Sequence, residues 1–192
     1  MNKAVKQLDR LRSASCVLTN KKAGLMGRAF WSEVFLSHLI EKRDNWQRED
    51  CSFTSEYLLK IAASSNWLKA AIQQDKQFLK YKNDLTKLHP SYILDKVFGI
   101  DFLITFELED DFYTFGIDVT SNKSMLDKKE YKANSISRKD IRDKLRLDGF
   151  IVIGISEAFE SFSACSDREL QYIAACIEQA VITCKSSVWI EK

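Results

Sequence analysis

The sequence predicts one α/β domain of 192 residues in which helices flank a central mixed β-sheet. The single proline, Pro90, separates a helix-rich part at 1–89 from a strand-containing core at 90–192. After it come three strand-like stretches, and one of them is apolar enough to need cover on both faces. A chain of this length suits one folding unit with a helical segment added to its core.

Apolar residues at helical spacing predict the helices of the first part. Arg28–Arg43 has this spacing, and so does the stretch from 54 to 88, where apolar residues alternate with Lys and Gln. A break near Ser64–Asn66 predicts that the second stretch forms two helices.

Alternating β-branched and aromatic residues predict strands over Phe98–Glu107 and Phe112–Thr120. The third strand, Gly149–Ser156, is almost wholly apolar and is therefore expected at the centre of the sheet. Ile136–Leu147 predicts an amphipathic helix between the second and third strands. Ser166 and Glu169 have capping-box spacing at the start of a final helix.

Composition and charge exclude several classes of protein. The first residues lack the apolar core of a signal peptide, and no later stretch is apolar enough to span a membrane. An odd number of cysteines without a C-x-x-C pair predicts reduced thiols in the cytoplasm and no zinc site; they are Cys16, Cys51, Cys165, Cys176 and Cys184. The net charge of +2 is too small to indicate nucleic-acid binding by itself.

The first two strands predict a hairpin in which the numbers of opposite residues sum to 219. One face then carries eight apolar residues, with Ile100, Phe102, Ile104 and Phe106 opposite Val119, Ile117, Phe115 and Tyr113. On the other face Asp101 lies opposite Asp118, with Cβ atoms about 4.5–5.5 Å apart. Like charges so close repel each other. Binding of a divalent cation such as Mg²⁺ would explain why two carboxylates occur there. Alternatively, both carboxylates are exposed, or a bulge separates them.

These residues resemble the PD-(D/E)XK nuclease superfamily. The matching stretches are Gly99–Ile104 and Phe115–Thr120, and the likeness extends over Gly27–Arg43 and Tyr92–Ser156. The resemblance implies a restriction endonuclease-like core, with Asp101 and Asp118 as the acids of the sheet and Glu33 as the acid of an earlier helix. It also implies phosphodiester hydrolysis with Mg²⁺ or Mn²⁺ bound by these three residues. A solvated Glu33 without a catalytic role is the alternative.

Two features depart from the family pattern. Thr120 stands where the motif has its lysine, so we expect the water-activating ammonium to come from Lys123, while the Thr120 hydroxyl could position water. The alternative is that Lys123 is an ordinary solvated charge. The first strand of the family's sheet is also not obvious, and Ser91–Val97 is the only room for it.

Basic residues after the hairpin are candidates for contacts with nucleic-acid phosphates. They are Lys128, Arg138, Lys139, Arg142, Lys144 and Arg146. Aspartates interleave with them, so a solvated helix face is the alternative. Further candidates near the start of the chain are Lys3, Lys6, Arg10, Arg12, Lys21 and Lys22.

The resulting hypothesis is a cytoplasmic, Mg²⁺-dependent DNA endonuclease that does not bind membranes. Symmetric dimers are common among such nucleases, so a homodimer is a further expectation. Because Thr120 replaces the motif lysine, the main alternative is a nuclease-like module that binds nucleic acid or protein without catalysis. A third hypothesis, based on residues 54–88, is a helical interaction protein with an incidental acidic hairpin.

Overall fold

The computed structural model describes residues 23–49, 52–63, 65–134, 136–159 and 162–192. Within these ranges, side chains are described except at 23–30, 67, 132–133 and 136–140. The described chain forms a five-stranded mixed sheet with helices on both faces, which confirms the predicted fold class. The basic residues from Lys3 to Lys22, Cys16 and Cys51 lie outside the described residues.

The first part of the chain contains helices and one short strand. In order they are α1 (Ala23–Glu41), β1 (Trp46–Arg48), α2 (Ser55–Ala62), α3 (Asn66–Gln74), α4 (Lys76–Lys80) and α5 (Pro90–Ile93). A π-helical turn, Leu94–Phe98, continues α5. Among the described residues, no helix combines the length and apolar composition that crossing a membrane requires.

Capping residues explain where the helices of this segment begin and end. The predicted break before Asn66 is confirmed, because the Ser65 hydroxyl caps α3 by accepting a hydrogen bond from the Leu68 amide at 3.1 Å. The stretch then forms three helices rather than two, because Asp75 ends α3 and caps α4 through the Gln77 amide at 2.8 Å.

The second part of the chain supplies most of the sheet. Its elements are β2 (Phe102–Leu108), β3 (Asp111–Thr120), α6 (Lys123–Ala133), α7 (Ile136–Leu145), β4 (Gly149–Ile155), α8 (Asp167–Ile182) and β5 (Ser187–Ile190). The three predicted strands and the predicted helices are confirmed with shifted ends. Both hydrogen bonds of the Ser166–Glu169 capping box are present. Three elements, β1, α6 and β5, were not predicted from the sequence.

The strands lie in the order β1-β2-β3-β4-β5, antiparallel from β1 to β3 and parallel from β3 to β5. The carboxyl ends of β3, β4 and β5 therefore meet at one edge, together with the amino end of β2. β4 is an inner strand, as predicted. The expectation of a first strand at Ser91–Val97 is wrong, because this segment is helical and β1 takes the place beside β2.

The predicted hairpin register is confirmed, since Phe102 pairs with Ile117 and Ile104 with Phe115. Most aromatic and aliphatic residues of this face are buried between the sheet, α1 and α8, and Tyr113 near the hairpin turn is partly buried. Ile100 is the exception. The chain turns at Gly99, which has a left-handed φ of 62°, and Ile100 packs with Leu103 in the core on the opposite face. That second core also holds the helices α2–α5, the segment inserted between β1 and β2.

One carboxylate joins α8 to the start of the sheet. Glu178 Oε1 accepts hydrogen bonds from Arg43 at 2.7 Å, Trp46 Nε1 at 2.9 Å and Asn45 at 3.2 Å. We expect Glu178→Ala to lower the free energy of unfolding by about 2 kcal/mol in urea titrations, because it leaves partly buried donors without an acceptor. The exposed Glu41→Ala is the control and should cost less than about 0.5 kcal/mol. Equal losses in the two variants would contradict the role given to Glu178.

Candidate functional site

An open cavity of about 880 Å³ lies where the carboxyl ends of β3, β4 and β5 meet. Its walls come from the end of β3 and the following turn, from α6, from the residues after β4 and from Trp189 of β5. Glu33 of α1 and Asp101, at the amino end of β2, close the remaining side. Ligands of open α/β sheets bind at this edge, so the cavity is the first candidate for a functional site.

The hairpin brings Asp101 and Asp118 together in this cavity. The Asp101 amide donates to the carbonyl of Ile117 at 2.7 Å, and Ile117 is also the partner of Phe102. Two residues therefore face one, so a one-residue bulge precedes β2. The Asp101 carboxylate turns toward β3, where Oδ2 accepts a hydrogen bond from the Val119 amide at 2.8 Å. Asp118 is 7% exposed. The two carboxylates still lie close enough for the charge of Asp118 to act on Asp101, but the direct pairing that the sequence predicted is replaced by the bulge.

The surroundings of Asp101 disfavour its ionised form. Burial raises the pKa of this carboxyl well above its usual value, and the charges of Glu33 and Asp118 raise it further. The hydrogen bond from the Val119 amide acts in the opposite direction but does not offset them. A positive ion beside these carboxylates would remove this unfavourable energy.

Lys129 of α6 provides one positive charge. Its ammonium donates to Asp118 Oδ1 and to the Val119 carbonyl, the latter at 2.7 Å. The side chain is only 26% exposed. The helix that carries it begins beside the site, where Asn122 Oδ1 accepts a hydrogen bond from the Ser124 amide at 3.0 Å. Lys129 therefore brings an ammonium to the strand residues next to Thr120.

Lys123 lines the outer part of the same cavity, and its ammonium does not lie beside Asp118 as that of Lys129 does. Its ammonium lies 3.3 Å from Glu191 and 5.6 Å from the centre of the Trp189 ring, and its side chain is 63% exposed. Lys123 was expected to supply the ammonium of the site, but the ammonium in contact with Asp118 belongs to Lys129.

Thr120 and Glu33 lie in the cavity as the sequence analysis expected. Thr120 is buried, and its hydroxyl accepts a hydrogen bond from the Asn122 amide at 3.2 Å. This bond shapes the turn from β3 into α6. Glu33 is partly buried, and its charge acts on both Asp101 and Lys96.

Of the described basic residues that were predicted to contact phosphates, only Lys128 lines the cavity. Arg142 pairs with Asp143 at 3.3 Å, while the exposed Lys144 and Arg146 lie on or after α7 and do not line the cavity. The side chains of Arg138 and Lys139 are outside the described set.

No family model, curated protein or solved structure matches this chain. The resemblance to PD-(D/E)XK nucleases therefore depends on its own residues and their geometry.

The acidic residues offer oxygen ligands to a hard cation. Among the described residues, no three His, Cys, Asp or Glu side chains form a group that could hold a metal ion. Mg²⁺ needs fewer protein ligands, because one or two carboxylates with water and substrate oxygens complete its shell. Asp118 on β3 and Asp101 just before β2, both at an open cavity, fit that requirement.

Lys129 was not among the predicted site residues, because no helix was predicted over 123–133. The signal was weak, since most of these residues are polar. Asn122 could have been identified as a helix cap. With Leu126 placed inward, Lys129 lies one turn further along on the same side, toward the sheet.

Proposed function

We propose that the protein is a divalent-metal-dependent endonuclease that hydrolyses phosphodiester bonds of DNA. The observation that carries this proposal is the contact of Lys129 with Asp118 and the Val119 carbonyl, beside Asp101 in one open cavity. Two acids on a hairpin, a nearby ammonium and a glutamate from an earlier helix are the groups that the family resemblance implies. The order of hairpin, helix and buried apolar strand is also that of the resemblance.

Asp101 and Asp118 would hold Mg²⁺ or Mn²⁺, with Glu33 acting through its charge or through a bound water. The ion would polarise a phosphate oxygen and lower the pKa of a bound water. The open side of the cavity admits a phosphodiester, and Lys128 at its wall offers a contact to the backbone.

Lys129 takes the role of the missing motif lysine. The Val119 carbonyl and Asp118 hold its ammonium on the sheet, so the positive charge is positioned before substrate binds. From there it can orient the attacking water and offset the charge that develops on the phosphate. Thr120 contributes to the turn that starts α6, and through it to the position of Lys129.

The alternative, a nuclease-like module without catalysis, was motivated by Thr120. Because Lys129 of α6 supplies an ammonium at the site, the absence of a lysine at position 120 is weaker support for this alternative. The proposal includes a cytoplasmic setting, with which the reduced thiols of Cys165, Cys176 and Cys184 are compatible. It also includes a homodimer.

Metal-dependent cleavage is the direct test. Supercoiled plasmid and single-stranded DNA are incubated with the protein in Mg²⁺, Mn²⁺ or EDTA. We expect cleavage in either metal and none in EDTA. Asp118→Asn, purified in parallel, is the control for contaminating nuclease and should be inactive. Absence of cleavage on every substrate, together with no change in Tm on adding metal, would overturn the proposal.

A further inference from the structure

Trp189 is a half-buried aromatic residue in the same cavity as Asp118 and Lys129. It lies on β5, and the register joins Thr120 to Gly154 and Gly154 to Trp189 across the parallel strands. These three residues share a face of the sheet. Neighbouring strands are about 4.8 Å apart, so the Cα atoms of Trp189 and Thr120 are separated by about 10 Å.

The indole ring is held in one orientation. Its Nε1 donates to Glu191 Oε2 at 2.9 Å. Its six-membered ring fills the space over Gly154, where an added Cβ would lie 2.3 Å from Cε3. A side chain at position 154 would therefore displace the ring. A ring that is already fixed loses little conformational entropy when a ligand stacks on it.

A cation that can move away lies over this ring. The Lys123 ammonium is 5.6 Å from the ring centre and 3.3 Å from Glu191. Both charged side chains are more than half exposed, at 63% and 60%. Exposed pairs contribute little stability, so the lysine can leave the ring for a phosphate.

We propose that Trp189 is a stacking platform for an unpaired base of the DNA strand bound at Asp101 and Asp118, so that the substrate is single-stranded there. This inference rests on the proposed function. Every base has a π-face that can stack on an aromatic ring, but in a duplex both faces are covered by neighbouring pairs. An indole beside the phosphate-binding part of the cavity therefore selects unpaired DNA without reading its sequence.

Binding measured without cleavage tests the platform. A labelled 12-nucleotide strand, the same strand in a duplex, and a strand with abasic sites in place of all bases are titrated with protein in EDTA at low salt. Anisotropy should show that the wild type binds the normal strand about tenfold more tightly than either other probe. Because the abasic strand keeps the charge of the normal strand, this comparison isolates the bases in the unaltered protein.

Variants then test whether the preference for unpaired bases depends on the Trp189 ring. Trp189→Leu should lose about tenfold in affinity for the normal strand and nothing for the duplex, while Trp189→Phe should retain most of the preference. Phe112→Leu, at an exposed aromatic residue at the opposite end of β3 from the cavity, is the matched control and should change nothing. Tm values establish that each variant is folded.

The outcomes separate this inference from the proposed function. Equal wild-type affinity for the three probes, or an unchanged preference in folded Trp189→Leu, overturns the platform even if metal-dependent cleavage is found. A preference that depends on Trp189 in a protein that cleaves nothing supports the platform and leaves the nuclease proposal overturned.

Discussion

Lys129→Met is expected to reduce kcat for DNA cleavage by about 100-fold or more, with a much smaller change in KM. The substitution keeps the length of the side chain and removes the ammonium that contacts Asp118 and the Val119 carbonyl. Loss of one positioned group that stabilises transition-state charge typically costs about 10²–10³ in kcat. Initial rates on a defined oligonucleotide in saturating Mg²⁺ provide the measurement.

Three further variants test whether the loss of kcat comes from the ammonium of Lys129. Lys69→Met removes an exposed lysine of α3 and should leave the rate unchanged. Lys129→Arg keeps the charge with a different shape and should retain part of the activity. Lys123→Met should have a much smaller effect on kcat than Lys129→Met. If Lys123→Met instead produced the full loss and Lys129→Met did not, the assignment of the two lysines would be reversed.

Asp101→Asn is expected to abolish metal-dependent cleavage and, in EDTA, to raise Tm. The amide keeps an oxygen for the Val119 amide but removes a charge that burial, Glu33 and Asp118 all disfavour. Removal of one repulsion of about 1 kcal/mol raises the Tm of a chain of this size by about 2–4 °C. Thermal scans in EDTA and in Mg²⁺ measure both effects, since Mg²⁺ should stabilise the wild type and not the variant.

The pH dependence gives a second readout of the same substitution. The pKa of Asp101 is higher in the folded protein than in the unfolded chain. The resulting contribution to the free energy of unfolding is complete below the unfolded pKa of about 3.9. It is lost as the pH rises through the folded pKa. The advantage of Asp101→Asn in EDTA should therefore be small near pH 4 and larger at neutral pH. Asp127→Asn, at an exposed carboxylate of α6, should show no such trend. A Tm advantage that is absent or independent of pH would contradict the environment assigned to Asp101.

Strong local patterns made the hairpin predictable from the sequence. Alternating apolar residues and a short polar turn allow one register, and that register holds from Phe102 to Leu108. It brought Asp101 near Asp118 in the prediction, but the one-residue bulge before Phe102 has no signal in the alternation. The short outer strands lack such a pattern. β1 has three residues, and β5 has four that follow a helix, so their pairing with the sheet depends on tertiary contacts.

The positive charge of the site was less predictable than its acids. Asp118 lies on β3 and Asp101 directly precedes β2, so the pairing of the two strands brings them near each other. Lys129 reaches Asp118 only because α6 starts directly after β3 and lies over β4, and neither fact is evident from a polar helix. The position of Trp189 likewise depends on the pairing of β5 and on the missing side chain of Gly154.

Gly99 ends the inserted helical segment, and most of the residues that form the cavity follow it. Changes in the insert can therefore occur without changing the position of Asp101. Its left-handed backbone ends the π-helical turn, with the Gly99 amide bonded to the Asp95 carbonyl at 2.9 Å and the Ile100 amide to the Leu94 carbonyl at 3.0 Å. Asp101 follows two residues later and is held by β3 rather than by the insert. Residues 52–93 could therefore be lengthened, shortened or replaced without moving this carboxylate, provided that the glycine joint and the strand pairing after it are kept.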